Sequence, residues 1–149
     1  MSTEATLAAG TVVSYSLSID TPAYTVLNGV MSVGAVGYIA EAKPKTTLAD
    51  LTEKNGAGMK KAPDKTIKGQ YFGSDTNQQA FLDAVDETAR LLIKVEYPDK
   101  PNAAGTGTVA IFELATLGFE LDDVTGEDWM MFTVSAKQNT LVFTKPVTG

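Results

Sequence analysis

The chain has 149 residues, 44% of them apolar and 20% charged, a composition typical of a single globular domain spanning residues 1–149. Its 12 basic and 18 acidic residues give a net charge of −6, which disfavours tight, charge-driven binding to nucleic acid. Histidine and cysteine are absent, which excludes the common zinc sites, thiol chemistry and Ser-His-Asp triads. We therefore expect a protein that is not an enzyme, with no catalytic residue, no metal and no cofactor.

The first half of the chain predicts two strands followed by a long loop. Residues 11–19 alternate between apolar and polar side chains, which predicts a half-buried strand. Its apolar face would hold Val13, Tyr15, Leu17 and Ile19. β-Branched residues between glycines predict a second strand over 30–40. From Glu41 to Lys68 the chain is rich in lysine, glycine and proline, so we predict a long mobile loop over about 41–68.

One amphipathic helix is predicted near the middle of the chain. Thr76 and Gln79 have the spacing of a capping box, in which each side chain satisfies a free amide at the helix start. Phe81, Val85 and Ala89 then recur at four-residue intervals and form an apolar stripe. The helix should therefore pack one face on the core.

The remaining elements are strands. They are predicted over 67–73, 91–97, 108–121, 129–136 and 141–144, and Asn139 marks a turn before the last of them. The pattern adds up to about seven strands, joined mostly by turns, and one helix. We therefore predict a mainly β (α+β) fold, an antiparallel β-sandwich or barrel of about seven strands flanked by one α-helix, with a long mobile loop.

The predicted strands over 108–121 and 129–136 are apolar on both faces. One face can pack on the core, but the other must be covered, because large exposed apolar patches are rare on monomers. One short helix cannot cover both strands, so we predict an oligomer whose sheets join side by side. The predicted interface residues are Ile111, Phe112, Met130, Met131 and Phe132.

The lysine-rich loop allows two interpretations. It holds seven of the 12 basic residues but only four of the 18 acidic ones, so it is positive while the rest of the chain is strongly negative. It is either a solvated mobile loop or a loop that docks on an acidic neighbouring subunit, and we prefer the second. A nucleic-acid patch is disfavoured, because no aromatic residue lies between Glu41 and Lys68. The candidate docking residues are Lys43, Lys45, Lys54, Lys60, Lys61 and Lys65.

The middle of the chain also carries a characteristic order of motifs. The segment KGQYFGSDTNQQAFLDA (Lys68–Ala84) is followed by LIKVEYPD (Leu92–Asp99). In these motifs and in the order of its strands, the chain resembles the major tail tube proteins of phages with long, non-contractile tails, over about residues 10–145. The tube proteins of contractile tails and of secretion systems are close alternatives.

The resemblance implies a structural role without catalysis. Six copies would close a ring whose joined sheets form a continuous barrel, and rings would stack through the long loop. The tube would surround a tape-measure protein first and passing double-stranded DNA later, without sequence specificity, and would meet tail-terminator and tail-tip proteins. It would lie in the tail of the virion after assembly in the host cytoplasm. No membrane partner is expected, because no apolar stretch approaches the roughly 20 residues that span a bilayer.

A conduit for DNA works best with a wall that repels phosphate. The candidate lumen residues are the isolated carboxylates Glu41, Glu96 and Glu113, although Glu96 and Glu113 could instead face outer solvent. The rival function is a monomeric β-sandwich that serves as a binding or adhesion module. Such a module should offer a concave aromatic surface, whereas most aromatic residues here have the phase of core residues in strands.

Overall fold

The computed structural model describes residues 10–34, 36–48, 51–61, 64–123, 126 and 129–148. Within these ranges the chain forms nine strands and one helix. In order they are β1 (Val12–Ser16), β2 (Thr25–Val26), β3 (Val30–Ser32), β4 (Ile39–Pro44), β5 (Asn55–Lys61), β6 (Asp64–Gln70), α1 (Thr76–Asp86), β7 (Arg90–Glu96), β8 (Val109–Leu121) and β9 (Met131–Thr144). No helix in the described ranges is long and apolar enough to cross a membrane.

Seven of the strands form one antiparallel sheet, in the order β2-β1-β7-β8-β9-β6-β3. The sheet curls into a half-barrel, and β4 and β5 form a separate two-stranded hairpin. The predicted class, mainly β with one flanking helix, is confirmed.

The hydrophobic core lies between α1 and one face of the sheet. Phe81, Leu82 and Val85 of α1 are at most 1% exposed, as the apolar stripe predicts for Phe81 and Val85. The ring of Tyr15 lies 5.3 Å from that of Phe81, and its hydroxyl donates a hydrogen bond of 2.6 Å to the carbonyl of Asn77. The sheet supplies Val13, Ile67, Leu91, Ile93, Val95, Phe112, Leu114, Phe132 and Val134.

Two β-bulges in the long β8–β9 pair decide which residues face the core. One leaves Leu117 as an extra residue of β8 beside Gly118, and the other leaves an extra residue of β9 at Asn139. Each bulge reverses the alternation, so that Phe119 and Leu141 pack against the core while Leu117 is 59% exposed. The two-sided apolar pattern of 108–121 therefore includes a change of phase. The turn predicted at Asn139 is wrong, because β9 runs through it.

The first strand is shorter than its alternation predicts. β1 ends at Ser16, and Leu17 and Ile19 are exposed rather than on the core face. The hydroxyl of Ser16 donates to the carbonyl of Ser18 at 2.7 Å and accepts from the amide of Ala23 at 3.1 Å. These local hydrogen bonds turn the chain out of the sheet before the alternation ends.

The helix begins one residue away from the predicted cap. The carboxylate of Asp75 accepts from the amides of Asn77 at 3.0 Å and Gln78 at 3.4 Å, which makes Asp75 the N-cap. Thr76 is already the first helical residue, so the predicted capping box between Thr76 and Gln79 is wrong.

The segment predicted as a long loop is mostly β structure, and that prediction is wrong. β4 and β5 pair from Ile39–Lys61 to Pro44–Asn55, and β6 of the main sheet begins at Asp64. The sequence hides this hairpin because lysine, glycine and alanine have low strand propensity. Its strands are held by backbone pairing and not by an apolar face of their own.

Candidate assembly surfaces

The long β8–β9 pair leaves two strand edges open. β7 covers β8 only as far as Ala115, and β6 covers β9 only as far as Lys137. Among the described residues, no strand pairs with the free side of residues 116–121 or with the free side of 138–144. Unpaired strand edges expose backbone donors and acceptors that can pair with another chain.

The exposed apolar side chains of this strand pair lie on the same two segments. Leu117 and Leu121 are 59% and 47% exposed, and Val142 and Phe143 are 59% and 53% exposed. They are the large apolar residues of β8 and β9 that the described structure leaves exposed. Each open edge therefore combines unpaired backbone groups with exposed apolar side chains, a combination that is typical of a surface that contacts another protein.

The β4–β5 hairpin places Glu41, Lys43 and Lys61 on one face, whereas Lys60, which pairs with Ala40, lies on the other. The carboxylate of Glu41 lies 3.4 Å from the ammonium of Lys61 and 3.9 Å from that of Lys43. The stems of Lys43 and Lys45 lie over Gly58 and Gly56, where an added Cβ would come within 2.8 and 3.4 Å of them. These glycines let the lysine stems lie flat across β5. Lys43, Lys45, Lys54, Lys60 and Lys61, predicted as docking residues, are all exposed on this hairpin.

Lys65 does not belong with them. It lies in β6 opposite Ala136, on the core face, and is 1% exposed. Its ammonium lies 4.9 Å from the centre of the Phe112 ring, and burial lowers the pKa of its ammonium. The prediction that Lys65 docks on a neighbour is therefore wrong. Ile67, two residues later in the same strand, could have revealed the position of Lys65 in the sequence analysis, because residues i and i+2 of a strand point to the same face.

The predicted interface residues fall into two groups. Phe112 and Phe132 are 0% exposed and belong to the core, so the structure corrects their placement on an outer surface. Ile111 and Met131 lie on the opposite face of the sheet and are partly exposed, and Met130, just before β9, is 49% exposed. Strand alternation explains the split, because neighbouring residues point to opposite faces.

The three residues predicted to line the lumen do not lie on one surface. Glu96 and Glu113 lie on the face of the sheet opposite α1, where Leu92 pairs with Glu113, whereas Glu41 lies on the hairpin. The Glu113 side chain is only 15% exposed, and its carboxylate lies 3.0 Å from the guanidinium of Arg90. Glu113 is therefore not the isolated carboxylate that the sequence indicated.

The face that carries Glu96 and Glu113 is mixed in charge. Lys94 pairs with Ile111 on it, and the ammonium of Lys94 lies 5.4 Å from the centre of the Tyr24 ring. Lys68 and Lys137 lie on the same face of β6 and β9. Because Ile111 shares this face with Glu113, the predicted subunit interface and the predicted lumen wall compete for one surface.

The motif residues in the middle of the chain hold the fold together. An added Cβ at Gly69 would lie 2.7 Å from the carbonyl oxygen of Gly29 and 3.0 Å from the Phe132 ring, so this position needs glycine. The carboxylate of Asp99 accepts from the hydroxyl and the amide of Thr108, both at 2.7 Å. These hydrogen bonds, that of the hydroxyl first, lower the pKa of Asp99.

Gln78 is the central polar residue of these motifs and is 0% exposed. Its side-chain oxygen accepts from the amide of Phe72 at 2.6 Å. Its side-chain nitrogen donates to the carbonyls of Gln70 at 2.8 Å and Asn28 at 3.3 Å. The side chain thus ties the helix start to the end of β6 and to the β2–β3 turn, a role that the sequence alone did not reveal.

The residues that the structure describes contain no group of three or more His, Cys, Asp or Glu side chains that could hold a metal ion.

No model of a protein family matches the chain, and no curated protein matches its sequence. Solved structures match its fold. A chain of the six-fold symmetrised baseplate of the anti-feeding prophage matches with a TM-score of 0.74 and 10% identity, over 97% of this chain and 98% of that one. A chain in the sheath/tube terminator structure of the extracellular contractile injection system PVC gives 0.67 and 9% identity, over 96% and 99%. A chain of the PVC sheath–tube complex gives 0.61 and 9%, over 91% and 88%.

These matches establish the fold. This chain shares the fold of phage-tail-like injection-system components from end to end. Two of these three structures come from a contractile injection system, so the fold supports a tail-tube-like architecture without indicating the non-contractile kind in particular.

Proposed function

We propose that this protein is a structural, non-catalytic subunit that assembles with copies of itself into stacked rings of a phage-tail-like tube. The observation that carries the proposal is the end-to-end likeness of fold to a chain of a six-fold symmetrised baseplate, supported by the likeness to a chain of a sheath–tube complex. By analogy with that symmetry, each ring would hold six copies. The tube would lie in a virion tail or a related extracellular particle.

In this proposal the open edges of the β8–β9 pair close the ring. The edge at 138–144 of one copy meets the sheet of the next copy, so that the half-barrels join into one continuous barrel. Pairing there satisfies the free backbone groups and covers Val142 and Phe143, which are 59% and 53% exposed in the single chain. Each copy uses two different edges, and a heterologous contact of this kind closes into a ring when the rotation fits.

The face opposite α1 would then line the lumen, with Glu96 and Glu113 on it. The Arg90 partner of Glu113 and the lysines on this face make the wall mixed in charge rather than strongly acidic. A wall without a large basic patch still offers passing DNA few sites of attachment, in line with a conduit for double-stranded DNA. The tape-measure, tail-terminator and tail-tip proteins would be its further partners, with assembly in the host cytoplasm.

The hairpin would carry the contact between rings. Its exposed lysines Lys43, Lys45, Lys54, Lys60 and Lys61 lie on a chain whose net charge is −6. A positive projection and a negative body on one subunit attract each other between copies placed head to tail. Single surface ion pairs are weak, so the contact needs several of them together and should weaken with salt.

Electron microscopy of the purified protein at high concentration tests the proposal. We expect rings about one subunit thick and tubes built from them, with six-fold symmetry in end views. A sample that stays monomeric at every concentration, by microscopy and by sedimentation, would overturn the proposal and favour the monomeric binding or adhesion module.

A further inference from the structure

The open edge of β9 at residues 138–144 is met by a side chain from outside the sheet. The hydroxyl of Tyr38, the residue just before β4, donates a hydrogen bond to the carbonyl of Asn139. Beside it, the side-chain nitrogen of Gln138 donates to the carbonyl of Gly37 at 3.4 Å. Two hydrogen bonds thus tie the root of the β4–β5 hairpin to the first two residues of the open edge.

The course of the chain places Tyr38 on the open side of β9. The hairpin that follows Tyr38 ends at Lys61, and its two ends lie together because β4 and β5 are antiparallel. β6 begins shortly afterwards at Asp64, which pairs with Lys137 of β9. Since β6 lies on the side of β9 away from β8, the hairpin root lies on that side too. Tyr38 therefore contacts β9 at the point where β6 stops covering it.

This contact lies in the path of a strand that would pair with the edge. Neighbouring strands in a sheet lie about 4.8 Å apart. A strand added along 138–144 would come that close to the backbone of Asn139, where the Tyr38 hydroxyl already lies. Proteins protect open strand edges by covering them, because an uncovered edge pairs with other chains. Tyr38 is only half-buried, and its hold on Asn139 is a single hydrogen bond, so another strand can displace it.

We propose that Tyr38 guards the open edge of β9, and that a second copy of the chain displaces its hydroxyl from Asn139 when it pairs along 138–144. The inference rests on the proposed function, since 138–144 is the edge that would close the ring. The guard stabilises the free subunit, so it raises the concentration at which subunits assemble.

The backbone beside Tyr38 has room to move when the hydroxyl is released. Gly37 has a φ of +153°, in a region that glycine adopts easily. Apart from its chain neighbours, no described atom lies within 4 Å of a Cβ built at this position. The displaced side chain can therefore turn away without disturbing packed groups.

The substitution Tyr38→Phe tests the guard, because it removes the hydroxyl and keeps the ring. We expect the concentration at which half of the subunits sediment as rings or tubes to fall about fivefold, the factor that one ordinary hydrogen bond provides. The circular dichroism spectrum should stay unchanged. The matched control is Tyr24→Phe, which removes the hydroxyl of another half-buried tyrosine, just before β2 at the end of the sheet, and should leave assembly unchanged.

A second variant separates the guard from a general loosening of the hairpin root. Asp64 and Lys137 form an exposed ion pair at the same root. Asp64→Asn with Lys137→Gln breaks this pair, keeps the net charge at −6 and leaves Tyr38 and Asn139 in place. This variant should assemble at the same concentration as the natural protein.

The outcomes separate this inference from the proposed function. If Tyr38→Phe assembles at the same or a higher concentration than the natural protein, the inference is overturned and the proposed function stands. An equal gain in the Asp64→Asn/Lys137→Gln variant also overturns it, because a looser root would then explain the effect. Failure of the natural protein and of every variant to assemble overturns both. Assembly of Tyr38→Phe at concentrations where the natural protein is still monomeric supports both.

Discussion

At the scale of single residues, the stability of this fold depends on buried polar groups that the sequence pattern does not distinguish from surface ones. Gln78 and Lys65 both lie in the core, at 0% and 1% exposed. Gln78 makes three hydrogen bonds inside the protein. The ammonium of Lys65 lies over an aromatic ring, and burial lowers its pKa, so the fold disfavours the charged form. The two residues should therefore respond to substitution in opposite directions.

Gln78→Ala should destabilise the subunit. The change leaves the amide of Phe72 and the carbonyl of Gln70 without their partners inside the protein, which costs about 1–3 kcal/mol. Urea unfolding followed by circular dichroism measures the loss. Gln79→Ala is the control: Gln79 is less buried and its hydrogen bonds are longer, so we expect a change within about 0.5 kcal/mol. Equal losses in both variants would contradict this account.

Lys65→Met should leave the subunit at least as stable at pH 7, because the lowered pKa of the Lys65 ammonium means that the fold disfavours its charged form. The methionine keeps most of the buried stem and removes a charge that burial penalises. Thermal unfolding at pH 7 checks the direction. A loss of more than about 1 kcal/mol in this variant would show that the ammonium stabilises the core through its contacts.

The same substitution should change how stability depends on pH. Burial lowers the pKa of Lys65 in the folded protein below its ordinary value of 10.5, so the unfolded chain binds more protons between those two values. Stability should therefore rise with pH across that window in the natural protein. Lys65→Met should remove this rise. The tyrosines titrate in both proteins, so the difference in stability between the natural protein and the variant, measured against pH, reports Lys65 alone.

At the scale of elements, the β4–β5 hairpin is the part of the molecule with no core of its own. Its apolar residues Ile39, Leu48, Leu51 and Met59 are between 77% and 109% exposed. A hairpin with so little burial adds little to the stability of the subunit. Its contribution should therefore appear in assembly rather than in folding.

Shortening the hairpin tests this separation. Ala42 pairs directly with Ala57, so residues 43–56 can be replaced by Asn-Gly, the preferred two-residue hairpin turn. We expect an unchanged melting temperature and spectrum but no long tubes by electron microscopy. Normal tubes would exclude the hairpin as the stacking element.

A charge control shows whether the lysines matter. Lys43→Glu with Lys45→Glu should inhibit tube growth, whereas Lys100→Glu with Lys145→Glu makes the same change of charge elsewhere on exposed positions and should not. Equal inhibition by both would assign the effect to net charge alone.

At the scale of the whole molecule, the proposed ring closes at the open strand edges, and its lumen is lined by the face opposite α1. Residues at an edge and residues in the interior of this face should therefore differ in how well they tolerate a charged side chain. Val142 and Ile111 pair directly on that face, but Val142 lies on the open edge of β9 and Ile111 in the interior of the sheet. A lysine on an open strand edge opposes pairing with another strand, whereas a lysine in the interior of a solvated face costs little.

Val142→Lys should therefore raise the concentration needed for assembly by about tenfold or more, equivalent to about 1.4 kcal/mol per contact. Ile111→Lys, on the same face, should assemble nearly as the natural protein does. Sedimentation across a concentration series measures both. The reverse order would place Ile111 in the subunit interface, as its apolar pattern first suggested, and remove this face from the lumen.

The sequence by itself determined the class of fold, the single helix with Phe81 and Val85 buried, and the absence of histidine and cysteine chemistry. These features depend on local periodicity and composition, which a single chain displays directly. The motifs on which the resemblance rests also contain residues with a direct structural role. Close packing leaves no room for a side chain at Gly69, and the carboxylate of Asp99 accepts a hydrogen bond from the amide of Thr108.

Only the tertiary structure decided which lysines and aromatics are buried and which strand edges are open. Lysine is usually a surface residue, and only the register of β6 against β9 places Lys65 in the core. The phase of β8 reverses at Leu117 because of a bulge, which pairing creates and periodicity cannot show. The β4–β5 hairpin likewise forms through backbone pairing, although its residues have low strand propensity. A strand edge is open only where the neighbouring strand ends, which a single strand's sequence does not show.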